Sequence, residues 1–185
     1  SMTGQLLNRS SIAKEIGVSV PTIDNWLSVL EASHIIYLLR PFSNNIISRA
    51  VKTPKLYFLD TGLCAYLTRW VNADVLQHGA MAGAFLETYV ISEVIKSYYN
   101  CGIEPPIYFY RTRDGQEIDL LIEHNGRIHP IEIKKHADPH PTDLSAFRAL
   151  DKLTTLHRGE GGEICLAETV FSLTETDKCI PIAYV

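Results

Sequence analysis

Long apolar runs are missing from this 185-residue chain. Nothing approaches the roughly 18 uninterrupted apolar residues that a membrane-spanning helix needs, and the N-terminus lacks the charged, apolar and small-residue succession of a signal peptide. The expectation is a cytoplasmic protein with no membrane partner. Cysteine is sparse: Cys64, Cys101, Cys165 and Cys179 form no C-x-x-C pair and have no histidine at zinc-finger spacing. Buried or free thiols are therefore expected rather than a disulfide framework or structural zinc. A phosphate-binding loop is also lacking. Gly159-Glu160-Gly161-Gly162 has no Lys-Ser/Thr after it, so it reads as a turn, and no ATPase core lies in this chain. There are no internal repeats. Nor is there an excess of positive charge: Lys+Arg 17 against Asp+Glu 21 gives a net charge of -4. That excludes the strongly basic body that coats duplex nucleic acid non-specifically.

What is present is 46% hydrophobic and 21% charged residues, the balance of a globular chain with one or two small domains. The charge is unevenly divided. Residues 1–56 hold six Lys/Arg and three Asp/Glu, whereas residues 57–185 hold eleven and eighteen, so the two parts have different electrostatic tasks. We expect an α/β protein with a winged-helix-like domain over residues 1–60 and a larger α/β domain over 61–185.

In the first part, Ser10 or Ser11 is placed to cap a short helix that stops at Gly17, and Ser19 to cap a second helix starting at Pro21. The spacing of Ala13, Gly17, Val20 and Ile23 is that of a helix-turn-helix, with Val20, Ile23, Leu27 and Leu30 as its packed face. Two β-rich runs, 35–42 and 55–59, are joined by a polar loop with Asn44, Asn45, Arg49 and Lys52, which reads as a wing. Between Pro21 and Leu30 the second helix carries no Lys or Arg, which argues against direct base reading, since Arg to guanine is the commonest such contact. Arg40, Arg49, Lys52 and Lys55 are candidate phosphate contacts. A linking helix is expected over 60–70, capped by Asp60 or Thr61.

The chemistry lies further on. Residues 83–99 form a periodic helix with Val90, Ile91, Val94 and Tyr98 on one side. Steps of about 100° put Glu87 within roughly 60° of each of these, so its carboxylate points inward and needs a cation, a Lys/Arg partner or hydrogen-bond donors nearby. Three β-like runs follow, 107–113, 117–123 and 128–134, joined by the hairpin signals Asp114-Gly115 and Asn125-Gly126. With a side-chain period of two, Asp119 of the middle strand and Glu132 and Lys134 of the third can converge on one face. Two carboxylates on adjacent strands, a lysine two residues after the second and the inward Glu87 of the helix that covers them make a hard-oxygen site suited to Mg²⁺ or Mn²⁺, with Asp119 and Glu132 as ligands. Lys134 would orient or help deprotonate an attacking water, or stabilise charge at phosphorus. Arg111 and Arg113 share a strand face and could guide a phosphate backbone. His136 and His140 sit four apart, but Pro139 and Pro141 preclude a regular helix, so both read as loop histidines. Thr142 opens a helix with Leu144, Phe147, Leu150 and Leu153 buried, and runs 163–169 and 180–185 read as two more strands.

Asp119, then twelve residues, then Glu132-Ile133-Lys134 resembles the Asp…(Asp/Glu)-x-Lys signature of the restriction-endonuclease-like superfamily. Glu87 matches that family's helix carboxylate. From the helix-turn-helix through Pro54-Lys55-Leu56-Tyr57-Phe58-Leu59-Asp60-Thr61-Gly62-Leu63 and Gly115-Gln116-Glu117-Ile118-Asp119 to Ile131-Glu132-Ile133-Lys134-Lys135, the chain resembles the C-terminal domain of unknown function in bacterial and archaeal AAA+ family ATPases. The resemblance implies a winged helix-turn-helix followed by a restriction-endonuclease-like mixed sheet flanked by helices. It implies Lys134, Glu132, Asp119 and Glu87 as site residues, Mg²⁺ or Mn²⁺ as cofactor, and an ATPase core N-terminal to this region. Activity is not implied, because superfamily members often keep the fold and lose cleavage.

Three functions compete: a metal-dependent deoxyribonuclease, a catalytically inactive nuclease-like module that docks the ATPase on DNA or a protein partner, and a homo-oligomerisation element. Metal-dependent cleavage separates the first from the second, and sedimentation addresses the third.

Overall fold

A computed structural model describes residues 2–42, 52–112, 114–151 and 157–185. By its internal contacts the chain forms two units, one from Ser1–Leu39 with Thr53–Ser92 and the other from Arg40–Lys52 with Glu93–Val185.

The first unit opens with strand β1 (Gln5–Leu6) and helices α1 (Arg9–Ile16) and α2 (Val20–Ala32). Asn8, not Ser10 or Ser11, caps α1: its Oδ1 accepts the Ser11 N–H at 2.9 Å, and both serines are already inside the helix. The helix stops at Gly17, whose φ of 79° lies in the left-handed region where a side chain is disfavoured. Its N–H donates to the Ala13 carbonyl at 2.9 Å, closing the turn. Ser19 then caps α2 through Thr22 N–H, as its position before Pro21 leads one to expect. Strands β2 (Ile36–Leu39) and β3 (Lys55–Phe58) complete an antiparallel sheet of order β1-β3-β2.

Leu7, Ala13, Ile23, Leu27, Ile36 and Leu56 form the core between helices and sheet, with Leu30 packed at its margin. Val20 is a correction. It is exposed, because as the first residue of α2 it precedes the apolar face. Asp60 caps helix α3 (Thr61–Leu67) through Leu63 N–H at 2.7 Å, and α4 (Ala73–His78) follows. Helix α5 (Ala82–Asn100) begins in the first unit and ends in the second.

The second unit is built on strands β4 (Ile107–Arg111), β5 (Glu117–His124) and β6 (Arg127–Ile133), an antiparallel meander as the turn signals require. Asn125 and Gly126 both have positive φ, 50° and 72°, which is the conformation an Asn-Gly hairpin turn selects. A 3-10 turn (Pro141–Phe147) runs into the short helix α6 (Arg148–Asp151) where a single longer helix is expected. Leu144, Phe147 and Leu150 nonetheless bury their side chains with Tyr110, Ile118, Leu121 and Ile128; Leu153 lies outside the described residues.

Strands β7 (His157–Arg158), β8 (Gly161–Cys165), β9 (Phe171–Ser172) and β10 (Asp177–Pro181) extend the sheet. Its order is β4-β5-β6-β8-β10-β9, with β7 on the edge of β6, and β6, β8 and β10 run parallel. The last two expected strands thus start earlier, and residues 182–184 turn into a 3-10 segment. The glycine-rich stretch is also corrected, since Gly161 and Gly162 lie inside β8 rather than in a turn. A Cβ on Gly161 would sit 2.6 Å from the Pro130 carbonyl oxygen, and one on Gly162 2.5 Å from that of Lys178. Glycine is there for close strand approach. No helix among the described residues is long and apolar enough to cross a membrane.

Candidate functional site

The β5–β6 register pairs Leu120 with Ile131, and carrying it one residue further sets Asp119 opposite Glu132. Because Glu132 and Lys134 are two apart on β6 and the residue that follows it, they project to the same side. The three side chains do meet. Lys134 Nζ lies 2.8 Å from Glu132 Oε2 and 3.9 Å from Asp119 Oδ2, and Asp119 Oδ2 accepts the Ile133 N–H at 2.9 Å. Glu132 is only 3% exposed, while the Lys134 side chain is 40% exposed.

The electrostatics follow from this packing. Burial and then the Asp119 charge push the Glu132 carboxyl up to about 8, against the opposing pull of Lys134. For Lys134, burial alone would lower the pKa, but Asp119 and Glu132 outweigh it and hold the ammonium above its ordinary value. One ammonium therefore faces two carboxyl groups, and below about pH 8 it is balanced by Asp119 while Glu132 keeps its proton. Glu132 Oε1 is buried with no hydrogen-bond partner among the described residues. Once the Glu132 proton leaves, the pocket carries a net negative charge and its unpartnered oxygen fits a hard cation, so Asp119 and Glu132 are chemically able to hold one.

Glu87 belongs to the first unit, and its inward carboxylate has found the partners it needs. Oε1 accepts from Lys55 Nζ at 2.8 Å and from Tyr57 Oη at 2.5 Å. Lys55 is 3% exposed, which removes it from the surface phosphate contacts. Arg40 and Lys52 are exposed. Arg111 pairs with Glu117 across the β4–β5 ladder at 3.0 Å. Arg49 and Arg113, with most of the expected wing, lie outside the described residues.

Two further residues stand beside this group, one that the sequence pattern did not single out and one that it read as a loop histidine. Glu163 sits in mid-β8, with Cα partners Glu132 on β6 and Cys179 on β10, and is fully buried. His136 is no idle loop histidine, because its Nε2 lies 2.8 Å from Glu163 Oε1. A lone carboxylate in the run Gly161-Gly162-Glu163-Ile164-Cys165 is the signal that was available.

A mixed α/β unit carrying a carboxylate pair and a lysine on adjacent strands is the class that fold and site define. The chain belongs to the DUF4143 family, a domain of unknown function whose family model matches residues 82–185. Residues 1–74 match a second domain of unknown function, DUF8612. The chain is 30% identical over 137 residues to the uncharacterized protein Rv2008c of Mycobacterium tuberculosis and to the uncharacterized protein Mb2031c of Mycobacterium bovis. The matched stretch covers 74% of this chain and 30% of each relative's length. No solved structure matches.

Proposed function

We propose that the second unit carries a Mg²⁺- or Mn²⁺-dependent nuclease-type phosphodiesterase site, in the C-terminal region of an AAA+ family ATPase. The observation that carries this reading is the meeting of Asp119, Glu132 and Lys134 around a buried carboxylate oxygen with no hydrogen-bond partner among the described residues. The antiparallel meander continued by parallel strands supports it, being compatible with the restriction-endonuclease-like sheet that the sequence motif implies. The helix pair joined at Gly17 and followed by antiparallel strands likewise supports a winged-helix reading of the first unit. The curated relatives extend well beyond the matched stretch, which leaves room for an ATPase core.

Asp119 and Glu132 would hold the cation, which supplies charge neutralisation at phosphate and activation of water. Ile133 N–H fixes the Asp119 carboxylate by its hydrogen bond, so the ligand set is oriented before anything binds. Lys134 keeps its proton, because two carboxylates hold its pKa up, and it therefore acts as a fixed positive charge facing the developing charge on phosphate rather than as a base. Glu87 is left out of this machinery, its charge being matched by Lys55. Arg40 and Lys52 are exposed cations suited to guiding a DNA backbone.

The test is incubation of the purified chain with Mn²⁺ and single-stranded, duplex or branched DNA. Nicking that Lys134→Ala abolishes, with an unchanged circular dichroism spectrum, is the expected result. Failure of the wild type to cut any of the three sinks the catalytic reading and leaves a nuclease-like module that docks on DNA or protein.

A further inference from the structure

A second group of ligating side chains lies in the same unit. His136, Asp143 and Glu163 come from three different segments, yet one ligand atom of each lies within 4.8 Å of the others. Nε2 of His136 is 2.8 Å from Glu163 Oε1 and 3.9 Å from Asp143 Oδ2. Each group is held in place by backbone. His136 is anchored to the residue after β8 by its carbonyl, which accepts Leu166 N–H at 2.8 Å. Asp143 Oδ2 accepts the His140 N–H at 2.8 Å, which fixes the carboxylate at the start of the 3-10 turn. Glu163 is walled in by paired strands on both sides.

Glu163 is what distinguishes this group from an ordinary surface cluster. It is 0% exposed; Oε1 lies 2.8 Å from the His136 ring nitrogen, and Oε2 is buried with no hydrogen-bond partner among the described residues. A buried carboxylate with one oxygen met by an imidazole and the other by nothing among the described residues is completed by a cation that both groups can share. The donor set then selects the cation. Mg²⁺ takes oxygen ligands almost exclusively, whereas one imidazole nitrogen with two carboxylates suits first-row transition metals and leaves positions open for water.

We propose that His136, Asp143 and Glu163 form a binding site for a divalent transition-metal ion, Mn²⁺ being the probe, separate from the pair Asp119 and Glu132. The site does not depend on the nuclease reading, and an Asp119→Asn background keeps the two apart. In that background, titration of the full 185-residue chain with Mn²⁺ should show one bound ion. Electron spin echo envelope modulation should show coupling to an imidazole ¹⁴N. Because Glu163 is buried, the decisive variant is His136→Gln, whose ring is 37% exposed. It should remove the ¹⁴N coupling and weaken Mn²⁺ binding at least about tenfold, and Glu163→Gln should weaken it too. No bound Mn²⁺ in the Asp119→Asn chain, or a nitrogen coupling that survives His136→Gln, overturns the proposal.

Discussion

Raising the pH should destabilise the metal-free protein through Glu132, and the size of the effect can be worked out. Burial first, and then Asp119, lift its carboxyl from an ordinary 4.5 to about 8 in the folded chain. The folded state therefore holds this proton more tightly than the unfolded state does. Its stabilising contribution is complete below the unfolded pKa and is lost as pH climbs through the folded one. A shift from 4.5 to about 8 corresponds to at most about 5 kcal/mol. Lys134 offsets little of this within the window, since its own titration lies above it.

Urea unfolding in EDTA, followed by circular dichroism at pH 5, 6, 7 and 8, measures the loss directly. With a slope of about 2 kcal/mol per molar urea, the midpoint should fall by about 1–2 M. Glu163 shifts in the same direction, again mainly by burial, so Glu132→Gln is needed to isolate the first site. That variant should flatten most of the pH dependence, and Mg²⁺ at pH 8 should restore wild-type stability but not that of the variant. A midpoint that is level from pH 5 to 8, or a variant as pH-sensitive as the wild type, would refute the reasoning.

Other consequences are simpler. Lys55→Met leaves Glu87 with Tyr57 but without its buried cation, and should cost about 3 kcal/mol in chemical denaturation. Gly161→Ala forces a methyl against the Pro130 carbonyl and should lower stability by about 1–3 kcal/mol, detectable as a drop in melting temperature. Cys179 is fully buried beside Cys165, and burial pushes its thiol up to about 12, so iodoacetamide should label exposed Cys101 in the native protein and spare Cys179 until urea is added.

How much of this was legible in sequence depended on whether the cue was local. The meander could be read because Asn125-Gly126 announces its own backbone conformation and the strands alternate around it. Period two then put Asp119, Glu132 and Lys134 on one face with no tertiary information. Glu87 was legible as an inward carboxylate in need of a partner, but Lys55 and Tyr57 come from a strand some thirty residues away, which no helical wheel contains. The strand at Gly161-Gly162 was misread because glycine signals a turn locally, whereas here it permits contact with Pro130 and Lys178 on neighbouring strands. Glu163 escaped notice, and His136 was weighed only against His140, for the same reason. Their meeting depends on the parallel pairing of β8 with β6, and a parallel partner leaves no turn between the strands to betray it.

The geometry at Glu132 bears on whether lysine and cation compete. A single carboxylate asked to serve both through one oxygen would force Lys134 away whenever a metal bound. Here the two oxygens are divided: Oε2 accepts from Lys134 at 2.8 Å, and Oε1 is buried with no hydrogen-bond partner among the described residues. If the proposed cation binds, Oε1 is the oxygen open to it, and Lys134 would not have to leave Oε2. Below about pH 8 the carboxyl proton of Glu132 takes the place of that cation, and metal binding has to release it, so Mn²⁺ affinity at this pair should rise with pH.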